Sequence, residues 1–219
     1  MSIDWDATGS WMQAWAGFAQ AGVVAYVAYK GADAVKDWRR QRITERKLDL
    51  AESVLDVMYR VRRALEGIRH PVMLAGSLQR AEDKLQAQDP TWLANLRDPQ
   101  RRQTVYAQAI YDRVNSFQSE WDDLWAIMPK ARAFLGRSVE GYLKELWAQR
   151  ATVMSAAEAK IGDLSDDPEF RAQLDRQIWS GFGVHRGGRN EVDDAIAAAC
   201  ENIEAALQPM ISDEERAKA

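Results

Sequence analysis

The stretch whose residue types best suit chemistry is GFGVHRGGRN, from Gly181 to Asn190. Its glycines free the backbone, while His185, Arg186 and Arg189 bring titratable or cationic groups. A helix is expected to begin directly after it, so an anion could rest on the first unpaired N–H groups. The spacing is not a dinucleotide fingerprint and no strand signal precedes it, so a loose connection between helices is the stronger reading.

The other reactive residue types do not converge. His70 and His185 belong to no metal-spaced pair. The EWDD run, Glu120 to Asp123, fans its carboxylates around a helix axis instead of aiming them at one ion. It reads as a solvated face between two buried rings, Trp121 and Trp125. Cys200 is the only cysteine, which excludes an intrachain disulfide, and no basic neighbour is placed to lower its pKa, so a buried structural thiol is expected. No catalytic residue, metal ligand or cofactor is assigned, and no enzymatic activity is expected.

The elements that must position these residues begin with an apolar stretch. Between Thr8 and Tyr29 no side chain is charged. Roughly 22 residues at ~1.5 Å each match the ~30 Å hydrocarbon thickness of a bilayer. A transmembrane helix is therefore expected over 11–29, with Trp11 and Trp15 near one interface and Tyr26 and Tyr29 near the other. Gln13, Gln20, the glycines and the many alanines make it a weaker candidate than a leucine run. Gly17, Ala21 and Ala25 fall in a stripe of small residues that lets a second copy approach, with Gln20 bonding across, so a homo-oligomer through this helix is expected.

The charge that follows sets the orientation. From Lys30 to Lys47 come Lys30, Lys36, Arg39, Arg40, Arg42, Arg46 and Lys47 against Asp33, Asp37 and Glu45. By the positive-inside rule this basic stalk, 30–47, lies at the cytoplasmic face of a bacterial inner membrane, leaving 1–10 outside and the bulk inside. Lys30, Lys36, Arg39, Arg40 and Arg42 are expected to meet anionic lipid headgroups. The chain as a whole has a net charge of -4, which gives no global field for nucleic acid.

Beyond the stalk the pattern is helical throughout. Leu48, Ala51, Val54, Leu55, Met58, Val61, Leu65 and Ile68 recur at spacings of three and four before Pro71. RRQTVYAQAIYDRVNSFQSEWDDLWAIM and SVEGYLKELWAQRATVMSAAEAKI repeat the pattern, and prolines, including Pro129 and Pro209, punctuate the blocks. Asp167 and Pro168 suit a helix start, and Asn190 can cap the last helix. An all-α fold is expected: a bundle of four or five helices of about 11–30 residues over 48–211, with a disordered polar tail at 212–219.

The run WRRQRITERKLDLAESVLDVMYRVRRALEGIRHP, following a short apolar helix, resembles a group of uncharacterised bacterial and prophage-associated single-pass membrane proteins. Trp38, Gln41, Lys47, Leu50, Ala51, Glu52, Arg69 and Pro71 carry the likeness, with RQIW and AIAAACENIEAALQP further on. The resemblance implies a membrane anchor and a helical cytoplasmic part, and no reaction or ligand. Together these readings lead to a non-enzymatic membrane-anchored scaffold or adaptor for a protein partner. Two alternatives are a membrane-perturbing effector that oligomerises through its first helix, and a soluble subunit whose first helix is covered by a partner chain.

Overall fold

The computed structural model describes residues 5–162, 167–182 and 189–218, with side chains at most positions from Tyr26 to Ser212. Among the described residues there is no strand, and the helices are α1 (Trp5–Ile68), α2 (Ala75–Gln88), α3 (Pro90–Asn95), α4 (Asp98–Ser116), α5 (Gln118–Phe134), α6 (Arg137–Gly162), α7 (Pro168–Ile178) and α8 (Glu191–Lys218). The all-α expectation holds. The chain divides into two compact units, Met1–Lys47 and Leu48–Ala219.

In the first unit, α1 has no proline to interrupt it, so the helix runs unbroken from Trp5. No helix among the described residues is long and apolar enough to cross a membrane. Length is not what falls short, because α1 has 64 residues. Gln13, Gln20 and the alanines and glycines between the aromatics dilute the apolar stretch.

In the second unit, the apolar stripe of α1 does what its spacing requires. Ala51, Val54, Met58, Val61, Ala64 and Leu65 are fully buried in a core shared with residues of α4 to α8. The central helix is α6, which packs against α4, α5, α7 and α8. A smaller satellite core joins Ala81 and Leu85 of α2, Leu93 of α3, and Val105 and Ala109 of α4.

Local chemistry sets the boundaries. The Asp89 carboxylate accepts the Trp92 N–H and starts α3 ahead of Pro90, and the Asp167 carboxylate accepts the N–H groups of Glu169 and Phe170 ahead of Pro168. At the turn from α5 to α6, Gly136 sits at φ 110 and donates to the Ala131 carbonyl, closing the helix in a conformation that side chains resist.

Four expectations need correction. Pro129 and Pro209 do not end helices but lie inside α5 and α8, where each only leaves one carbonyl of the preceding turn without its amide. The expected single helix from Arg101 to Met128 breaks at Phe117, whose φ of -109 and ψ of 28 are not helical. There the Phe117 ring lies so close to Gly67 of α1 that a Cβ on Gly67 would stand 3.1 Å from it. The number of helices among the described residues exceeds four or five because the break at Phe117 makes two helices of one and α3 adds a six-residue turn of helix. Finally, α8 continues to Lys218 through most of the segment expected to be a disordered tail. Glu, Arg, Ala and Lys are good helix formers, and no glycine or proline follows Pro209.

Candidate functional site

Arg69, one residue beyond α1, is 1% exposed and organises the polar interior of the second unit. A guanidinium there needs acceptors, and the chain supplies them from α7, α8 and the turn between. Nη1 donates to Asp193 Oδ1 at 2.5 Å, and Nη2 donates to the carbonyls of Arg176 and Trp179 and to Asn190 Oδ1. The Arg69 carbonyl in turn accepts both the amide and the hydroxyl of Ser180. Besides accepting from Arg69, Asn190 accepts the Asp193 N–H as the cap of α8 and donates to the Trp179 carbonyl. Burial pushes the Arg69 guanidinium below its ordinary pKa, and the facing Asp193 works against that shift.

A second guanidinium holds the segment that follows. Arg113 of α4 donates to the carbonyls of His70 and Val72, at 2.8 Å and 2.6 Å, fixing the chain on both sides of Pro71. Desolvation lowers its pKa as well. Arginine suits both places because it stays charged and reaches several carbonyls from one plane. His70 is exposed, and its Nδ1 accepts the Val72 N–H, which makes it part of this turn.

The tryptophans form a step between α5 and α6. Trp121 is fully buried, donates its indole N–H to the Val114 carbonyl and meets Trp147 edge to face at 6.3 Å. Arg150 lies over both rings, 5.6 Å from Trp121 and 5.1 Å from Trp147. Trp125 contradicts its sequence reading: instead of being buried, it is 63% exposed, with its ring against that of Trp147 at 5.3 Å. The buried face of α5 runs through Trp121, Leu124, Ile127, Met128 and Ala131, and Trp125, about 40° beyond Trp121 on the side away from the other four, falls at its margin. The EWDD acids do lie at solvated positions, with Asp123 paired to Arg60 of α1 at 2.7 Å.

In the first unit, α1 presents both charge and apolar side chains to solvent. Lys30, Lys36, Arg39, Arg40 and Arg42 are exposed, as are Tyr26, Val35, Trp38 and Ile43. The Arg42 guanidinium stands 5.5 Å from the Trp38 ring, one turn away. The side chains of Trp11, Trp15, Gly17, Gln20, Ala21, Ala25 and Tyr29 lie outside the described ones, although their backbone is helical. In the glycine-rich loop, His185 and Arg186 lie outside the described residues. Arg189 is described, exposed, and paired with Asp194, so its charge is already engaged.

Among the described residues no group of His, Cys, Asp and Glu is placed to hold a metal ion. Cys200 is buried as expected, and its burial pushes the thiol up to about 11, which leaves it protonated and unreactive at neutral pH. The sequence pattern pointed to Arg69 only through the likeness to membrane-anchored chains. Its place four residues after Leu65, on the apolar stripe, is the signal that marks it as buried. Comparison with family models, with curated proteins and with solved structures found no match.

Proposed function

We propose that the protein is a membrane-associated, non-enzymatic helical scaffold, attached through the first half of α1 and presenting the bundle of Leu48–Ala219 to a partner at an anionic leaflet. The observation that carries this reading is the exposed face of α1, where Val35, Trp38 and Ile43 stand among Lys36, Arg39, Arg40 and Arg42. Exposed apolar and aromatic side chains interleaved with cations suit a headgroup region, where the rings and aliphatic groups enter the interface and the charges meet phosphate. Each such cation contributes about 1 kcal/mol close to an anionic surface, and salt weakens it.

The uncharged stretch from Thr8 to Tyr29 deepens the attachment. Extraction of membranes from cells expressing the full chain tests how deeply. A helix that enters the hydrocarbon stays with the membrane pellet in carbonate and in high salt, which is the expected result. Complete release by both treatments would reduce the attachment to surface charge, and full recovery in the soluble fraction before any treatment would overturn it.

A further inference from the structure

A cleft of about 500 Å³ opens on the second unit, between α4, α6, the end of α7 and the turn at Pro71. We propose that it binds an apolar small molecule carrying a single carboxylate. The volume falls in the range of sites for small ligands, and the lining has the composition such sites use, an apolar floor with a few converging polar groups.

The floor is part of the core. Ala107 and Ile110 of α4, Ala157 of α6 and Ile178 of α7 are each no more than 2% exposed. Two of these four are alanines on facing helices, and their small size is what leaves the space open. Pro71, Pro99 and Trp179 also line it. The backbone at two of these is held: Arg113 fixes the carbonyls flanking Pro71, while Arg69 and Asn190 both bind the Trp179 carbonyl. A cleft with pinned backbone exists before its ligand arrives, so little ordering cost attends binding.

The polar groups at the mouth decide the ligand's charge. Arg102, Gln103 and Tyr106 follow one another along one face of α4, and Lys160 faces them from α6. No lining residue is acidic, in a chain that carries a net charge of -4. Lys160 is already paired with Asp175, whereas Arg102 has no ion-pair partner among the described residues. One cation is thus left uncompensated, which matches one negative charge. A guanidinium takes a carboxylate through two parallel hydrogen bonds, and the Tyr106 hydroxyl and Gln103 amide can complete its coordination.

This inference stands apart from the membrane reading, because it concerns the second unit alone and is tested without lipid. Isothermal titration calorimetry on the purified full chain would use 2-naphthoate and decanoate, with 2-naphthamide as the uncharged counterpart. Saturable one-to-one binding of at least one carboxylate is expected, with the amide at least about tenfold weaker, and the two acids separate an aromatic from an acyl body. Arg102→Gln, on the exposed rim where folding is not at stake, should weaken the carboxylate about tenfold or more, the scale of one charge-assisted hydrogen bond. Ala157→Phe should abolish binding by filling the floor; if that variant loses its cooperative melt, Arg102→Gln decides alone. Absence of binding by both acids, or undiminished binding to Arg102→Gln, would overturn the site.

Discussion

At the scale of single residues, two tryptophans four positions apart divide the work of packing. Trp121 is fully buried with its N–H satisfied, and Trp125 is 63% exposed. Trp121→Ala should therefore lower unfolding stability by about 3–5 kcal/mol, while Trp125→Ala should cost under ~1 kcal/mol, as urea denaturation of the two variants would measure. The sequence pattern placed both on one face, since helical spacing alone tolerates either at a core edge; only the position of α6 decides between them. The burial of Cys200 was legible from its apolar face, whereas Arg62 of α1, which acts to lower the thiol's pKa and is outweighed by burial, comes from far along the chain and was not. The thiol's folded pKa of about 11 lies above the ordinary value of 9.0, so the unfolded chain loses the proton first as pH rises. Stability from this group is present in full below pH 9 and is lost as pH climbs toward 11, by about 2–3 kcal/mol. Denaturation curves of the parent and of Cys200→Ala across that interval would show the difference, and a parallel decline in both would refute it.

At the scale of elements, periodicity found the helices and missed some of their joints. The stripe from Leu48 to Ile68 and the starts at Asp167 and Asn190 read directly from spacing and capping chemistry. The breaks at Phe117 and the continuity through Pro129 and Pro209 did not, because tertiary packing overrides a local breaker when the rest of a helix is covered. The turn after α5 depends instead on backbone geometry. Gly136 takes φ 110 with nothing within 4 Å of an added Cβ, so Gly136→Ala meets strain and no clash. A loss of about 1–2 kcal/mol is expected from thermal or urea unfolding. An unchanged midpoint would mean that the turn relaxes to another conformation.

At the scale of the whole molecule, the chain combines a second unit with its own buried core and a first unit that carries charge and rings on an exposed helix. Two arginines organise the interior of the former, Arg69 through carbonyl, carboxylate and amide acceptors and Arg113 through the carbonyls flanking Pro71. The helical class was legible because the long apolar runs repeat at three and four. The Arg69 cluster was not, since its acceptors come from residues more than 100 positions away in sequence. The proposed role rests on α1 bringing the protein to an anionic membrane. Flotation of the purified full chain with phosphatidylcholine vesicles, with and without about a third phosphatidylglycerol, tests it directly against the variant Arg39→Gln, Arg40→Gln, Arg42→Gln. Three cations at about 1 kcal/mol each set the expectation: the parent floats with the anionic vesicles, and the triple variant partitions roughly a hundredfold more weakly. Equal flotation of parent and variant on anionic vesicles, or no flotation of the parent on either, would contradict the account.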